Sequence, residues 1–211
     1  MCSGLVQNKV AHYHSDEYFE KVYQLSIRPL CLLDIVNYVA KTQPVLIVEC
    51  IREPVSRAIS TLFHMFGSGK KEYSPSCNYD FIENWICGHL DKNEHPYARN
   101  WIKYYNTCIL SEYDLSKGFL YKKVDKNISL LFLRYEDLKS RKNIFESTGY
   151  AFEEKHVNSI QSNSLLISNS NAKKHVKFPI SRLKIWYSDK YIKYLYSQTG
   201  IENFINTYTK K

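Results

Sequence analysis

No apolar run in these 211 residues approaches the roughly 20 that a membrane-spanning helix needs. The N-terminal MCSGLVQNKV also lacks the layout of a signal peptide. No membrane-inserted segment is therefore expected. The six cysteines, Cys2, Cys31, Cys50, Cys77, Cys87 and Cys108, form no C-x-x-C pair and no Cys/His spacing that suits a structural zinc ion. Scattered thiols point to a reducing compartment, with a Cys77–Cys108 or Cys87–Cys108 bridge as the alternative for a lumenal protein. The string G-x-x-x-x-G-K-[ST] is absent, which leaves a P-loop kinase without its phosphate loop. Internal repeats, low-complexity tracts and interdomain linkers are lacking too, so residues 1–211 read as a single domain. What is abundant is aromatic and basic: 18 Tyr and a net charge of +8. The charge favours acidic partners, whether nucleotide, anionic glycan, nucleic acid or membrane surface, without choosing among them.

The central stretch is Val45 to Phe66, VLIVECIREPVSRAISTLFHMF. Val45 to Ile51 is apolar and rich in β-branched residues, which predicts a strand buried on both faces of a parallel sheet, with Cys50 as a small hydrophobe inside it. Pro54 suits the first turn of a helix, where its missing N–H costs nothing. Beyond it Val55, Ile59, Leu62, Phe63 and Phe66 fall on one helical face. In such a strand–turn–helix unit the helix N-terminus, with its unpaired N–H groups and positive dipole end, is an expected anion site. Arg52 at the strand end and Ser60 on the helix flank supply a charged fork and a hydroxyl for one phosphate. The same residues also suit a plain surface arginine at a strand end and a filler serine on a helix, and the local pattern alone favours that plainer reading.

Upstream, Lys9 to His14 reads as a strand with His12 and His14 on one face. Ser15 can cap a weak helix over Asp16 to Gln24, and Pro29 to Ala40 predicts a core helix. The His-x-His pair would suit a metal, but no third ligand stands at a fitting spacing and none is expected. Downstream, Gly67 to Cys77 is a loop. Asp80 is placed to cap a helix with Ile82, Trp85, Ile86, His89 and Leu90 inward. An irregular segment runs from His95 to Phe119, Ile128 to Arg134 is a second buried strand, and Tyr135 to Lys139 opens a helix. Ser162 to Lys177 reads as a basic loop. Tyr187, Tyr191, Tyr194 and Leu195 then follow helical spacing.

The string Arg52-Glu53-Pro54-Val55-Ser56-Arg57-Ala58-Ile59-Ser60 resembles the R-x-P-x-x-R-x-x-S signature of sulfotransferases. The likeness is greatest to the bacterial-type family of capsular polysaccharide synthesis proteins. It continues through His95-Pro96, the F/Y-D-x-x-K-G-aromatic turn at Tyr113 to Phe119, the phrase LLFLRYEDLK and the closing Tyr187 to Ser197 segment. The resemblance implies a three-layer α/β/α domain with a central parallel sheet, similar to the P-loop NTPase-like sulfotransferase fold. It also implies a transferase in polysaccharide biosynthesis that takes its sulfuryl group from 3′-phosphoadenylyl sulfate (PAPS).

In that family the matching Arg and Ser hold the 3′-phosphate, which assigns cofactor binding to Arg52 and Ser60. Arg57 would support them, Tyr135 would border the nucleotide, and Lys173 and Lys174 would add charge. Some members draw a base from a His on the preceding strand, which here is His14, assisted by His12. An imidazole with a pKa near ~6.5 accepts a proton at neutral pH. The family's Gly/Ser-rich loop for the 5′-phosphosulfate and its helix have no counterpart between Gly4 and Val10, so the fold is expected to be truncated at its first β-loop-α unit. Expected with it are a carbohydrate or other hydroxyl-bearing acceptor, no nucleic acid and no metal. The compartment would be cytoplasmic, or the Golgi lumen for a longer chain. The alternative is a non-catalytic basic α/β module that binds a nucleotide, anionic glycan or nucleic acid, with Tyr and Lys interleaved at Tyr121 to Lys123 and Tyr191 to Tyr194.

Overall fold

A computed structural model describes residues 32–67, 78–92, 109–148 and 167–210. Helix α1 (Leu32–Ala40) leads into strand β1 (Val45–Ile51) and helix α2 (Pro54–Gly67), followed by α3 (Tyr79–Lys92). A 3-10 turn at Ile109–Glu112 precedes the hairpin β2 (Phe119–Asp125) and β3 (Ile128–Arg134). After it come a 3-10 turn (Tyr135–Ser140) and the helices α4 (Arg141–Ser147), α5 (Asn169–His175), α6 (Ile180–Trp186), α7 (Lys190–Leu195) and α8 (Gln198–Tyr208). The predicted strand Lys9 to His14 and helix Asp16 to Gln24 lie outside the described residues.

The three strands form one mixed sheet in the order β1-β3-β2. β1 runs parallel to β3, from Val45 opposite Ile128 to Ile51 opposite Arg134. β2 is antiparallel to β3, which corrects the expectation of a wholly parallel sheet. The reason is the connection: only Lys126 and Asn127 separate β2 from β3, and a two-residue link can join antiparallel strands alone. β3 is the central strand and is buried from Ile128 to Leu133.

β1 is less buried than its composition predicts. Its side chains alternate, with Val48 44% exposed and Cys50 also exposed, while Ile51 is buried. Among the described residues β1 pairs with β3 on one side only. A run of apolar residues records the average of a strand's two faces and not their difference.

The sheet has helices against both faces. Leu130 and Phe132 of β3 join the main core with α2, α3, α5, α6 and α8. Leu131 and Leu133 point the other way, onto Ile144 of α4, with Leu46 and Phe119 alongside. Helix α2 behaves as its spacing predicts. Pro54 occupies the first turn, and Val55, Ala58, Ile59, Leu62, Phe63 and Phe66 are all buried, each of the large ones worth roughly 1.5–3 kcal/mol of transfer free energy.

Other expectations are corrected. Helix α3 is capped by Asn78, whose Oδ1 accepts from the Phe81 N–H at 2.9 Å, and not by Asp80. Of its predicted inner face Ile82, Ile86 and Leu90 are buried, whereas Trp85 and His89 are half-buried and stack on each other at 4.7 Å. Within the predicted basic loop, Asn169–His175 is helical because Ser168 caps it, accepting from the Asn171 N–H at 3.2 Å, and Ala172 packs inward. The closing helix is broken into α6 and α7 because Asp189 starts a new helix, its Oδ1 accepting from the Tyr191 N–H at 2.6 Å. Tyr187, Ile192 and Leu195 still turn into the core. Cys50 and Cys87 carry free thiols. Cys77 and Cys108 lie outside the described residues. Among the described residues no helix is long and apolar enough to cross a membrane.

Candidate anion-binding site

β1 and β3 end level with each other, so the residue that follows each strand meets the other at the carboxyl edge of the sheet. Those two residues are Arg52 and Tyr135. The Arg52 guanidinium lies over the Tyr135 ring, with Cζ 3.2 Å from the ring centroid. Such a cation–π contact is worth about 0.5–1 kcal/mol at an exposed position, and Tyr135 is 46% exposed. The same guanidinium donates from Nη1 to the Ser60 hydroxyl. Eight residues separate the pair in sequence, and the first two turns of α2 bring Ser60 back over the strand end. Three of the predicted cofactor-binding residues, Arg52, Ser60 and Tyr135, therefore converge.

Lys173 joins them from α5, which packs against α2. Its amine is held below its ordinary pKa, first by burial and then by the Arg52 guanidinium, while Glu53 and Glu136 act in the opposite sense. The Lys173 amine therefore faces both the Arg52 guanidinium and the Glu53 and Glu136 carboxylates. Lys174 is exposed, since neighbouring helical residues diverge by about 100°. Arg57 is half-buried and sits beside His89, whose imidazole is lowered by burial and by that guanidinium. His14 and His12 lie outside the described residues. Among the described residues no group of three or more His, Cys, Asp or Glu is placed to hold a metal ion.

The expected anion site at the helix N-terminus is filled by the chain itself. Glu53, 2% exposed, turns its carboxylate back over the start of α2. Its Oε2 accepts from the Val55 N–H at 2.9 Å and its Oε1 from the Ser56 N–H at 2.6 Å. The Tyr187 hydroxyl donates to Oε2, and the Tyr208 hydroxyl donates to Oε1 at 3.1 Å. Burial raises the pKa of this carboxyl, and the hydrogen bonds from Tyr187, Ser56 and Tyr208 oppose that shift. Glu136 lies close by, its Oε1 accepting a long 3.5 Å bond from the Glu53 N–H and its Oε2 a 2.9 Å bond from the Tyr196 hydroxyl.

The first N–H groups of α2 are thus taken by Glu53, while Ser60 on the helix flank faces Arg52. Reasoning from sequence passed over Glu53. The available signal was its place before Pro54, which is the capping position of a helix whose first residue is proline.

The Tyr113 to Phe119 turn has a different character. Asp114 Oδ1 accepts from the Ser116 N–H at 2.9 Å, the Ser116 hydroxyl at 2.6 Å and the Lys117 N–H at 3.3 Å. The Ser116 hydroxyl, then the Lys117 ammonium at 3.2 Å from Oδ2, and last the two N–H groups hold its carboxyl down to about 2. Gly118 has φ +76°, and a Cβ there would stand 2.9 Å from Asp137 Oδ2. The Tyr113 hydroxyl donates to the Gly118 carbonyl. Asp137 in turn accepts from Arg134 Nε, and Arg134 Nη1 donates to the Leu195 carbonyl at 3.1 Å. The turn therefore ties the β2–β3 edge to α7.

No protein-family model matches this sequence, and no curated protein or solved structure shows detectable similarity to the chain.

Proposed function

We propose that the chain is a sulfotransferase domain that moves a sulfuryl group from PAPS to a hydroxyl of a carbohydrate or related acceptor. The observation that carries this reading is the convergence of Arg52, Ser60, Tyr135 and Lys173 at one strand edge, where a phosphate monoester dianion would take a guanidinium fork, a hydroxyl and an ammonium together. The exposed Tyr135 face would border the nucleoside. In the reaction the S–O bond to the donor phosphate breaks and an S–O bond to the acceptor oxygen forms. The acceptor's proton passes to a base, a role the resemblance gives to His14 with His12. The finer fold belongs to the same proposal: helices on both faces of the sheet support three α/β/α layers of the P-loop NTPase-like type.

A second reading is a non-catalytic anion-binding module, favoured by the net charge of +8. Calorimetric titration with adenosine 3′,5′-bisphosphate, with 5′-AMP and Arg52→Ala as controls, separates the two. The sulfotransferase reading expects binding that is lost in both controls. Equal binding of both nucleotides, falling steeply with salt, supports the module. No binding of the bisphosphate overturns the 3′-phosphate site.

A further inference from the structure

We infer that the C-terminal helix α8 is a positioning element of the Arg52 site, acting through the Tyr208 hydroxyl on the Glu53 carboxylate. This inference rests on the reading of Arg52, Ser60 and Lys173 as an anion site. It starts from the symmetry of the bonds to Glu53. Each carboxylate oxygen takes one backbone N–H from the start of α2 and one tyrosine hydroxyl from the C-terminal region: Ser56 and Tyr208 on Oε1, Val55 and Tyr187 on Oε2. Glu53 lies between Arg52 and Pro54, so whatever fixes its side chain also fixes the backbone from which Arg52 projects towards Ser60 and Tyr135.

The C-terminal residues are also tied to the segment that carries Lys173. The Phe178 N–H donates to the Tyr208 carbonyl at 2.8 Å, the Lys210 N–H to the Phe178 carbonyl at 3.0 Å, and Lys177 Nζ to the Thr207 carbonyl at 2.6 Å. Phe178 follows α5 by three residues. The last turn of α8 therefore sets both halves of the cation pair: Arg52 through Glu53, and Lys173 through the Phe178 pairing. Tyr208 itself is buried, and its hydroxyl is turned to Glu53. Its part is to position other residues.

A merely structural tyrosine would lower stability and leave the affinity of the folded protein unchanged. Tyr208→Phe removes only the hydroxyl. Ile201→Val trims a buried side chain of the same helix without touching Glu53 and serves as the control. Two quantities are read on the full chain: amide hydrogen exchange at Ser56, and affinity for adenosine 3′,5′-bisphosphate. Tyr208→Phe is expected to speed Ser56 exchange and to weaken affinity about tenfold, the factor that loss of a hydrogen bond to a charged group carries. Ile201→Val should change neither. Tyr187→Phe, read at the Val55 amide, serves the same purpose if Tyr208→Phe does not fold.

Wild-type affinity retained in Tyr208→Phe, or in Tyr187→Phe if Tyr208→Phe does not fold, overturns the inference and leaves the anion site standing. The same loss in Ile201→Val also overturns it, because the effect is then one of general stability. A wild-type chain that binds no bisphosphate removes the anion site itself and this role with it.

Discussion

Arg52 and Arg134 stand at the carboxyl ends of two adjacent parallel strands, yet the fold surrounds them differently. Arg134 donates to the Asp137 carboxylate and to the Leu195 carbonyl, with the rings of Tyr113 and Tyr196 within 6 Å at 5.9 and 5.8 Å. Its charge is matched by a carboxylate, and it holds a turn and a helix together. Arg52 donates to a hydroxyl, lies over an aromatic ring and has the Lys173 ammonium near enough to depress that amine. A charge that meets an opposite charge within the protein stabilises the fold. Neighbouring strand ends thus carry two arginines in different surroundings, and the difference lies in what the intervening chain places beside each.

The comparison breaks most visibly if Arg134 proves dispensable. Arg134→Met leaves Asp137 without its partner in a partly buried setting. Urea denaturation is expected to show a loss of about 2 kcal/mol, between the values for an exposed and a buried pair. Arg52→Met should cost less, about 1 kcal/mol in the same assay, as for the loss of one partly buried hydrogen bond, that to Ser60. Equal losses would mean that the two arginines do the same work.

The Arg134 region is probed more locally by Gly118→Ala. Its left-handed backbone and the close approach of Asp137 predict a cost of about 1–2 kcal/mol. A variant as stable as the wild type would show that Asp137 has room to move away.

Lys173 sharpens the other half. A bound anion favours its protonated form, so affinity for adenosine 3′,5′-bisphosphate should fall as pH rises through the lowered pKa of this amine. The phosphate is already dianionic above about pH 7. Lys173→Met should bind several-fold more weakly, by about 1 kcal/mol, and should lose that alkaline decline. A decline that persists in the variant would assign it to another group.

The smallest effect belongs to Asp114. Its carboxyl is held at about 2, below its ordinary 3.8, so it contributes stability above the ordinary value that is lost as pH falls towards 2. Asp114→Asn keeps an acceptor oxygen and should flatten the stability profile between these two values. An unchanged profile would remove the turn's carboxylate from the acid transition.

The elements that were legible in the sequence are those in which a single periodicity dominates. The α2 stripe from Val55 to Phe66 has one helical face, and β3 is apolar but for Ser129 and the terminal Arg134, so both could be read directly. β2 escaped notice because Phe119 to Asp125 mixes lysines with apolar residues, in keeping with its one buried residue, Leu120. The helix Asn169–His175 escaped because its start depends on one serine cap and its packing on one alanine. Asp189, which divides the closing segment, reads as an ordinary polar residue until its bond to the Tyr191 N–H is seen.

By itself the sequence determined local character: a β-branched run before Pro54, an amphipathic helix after it, and an arginine and a serine eight residues apart. Helical periodicity is a property of neighbours along the chain, so these features need no knowledge of the rest. Only the tertiary structure decided what stands beside them. The level ends of β1 and β3 bring Tyr135 to Arg52, the packing of α5 on α2 brings Lys173, and Tyr208, which lies 155 residues beyond Glu53, closes the helix N-terminus through that carboxylate. Burial and pairing between distant residues depend on how the whole chain excludes water, and that sum has no local signature.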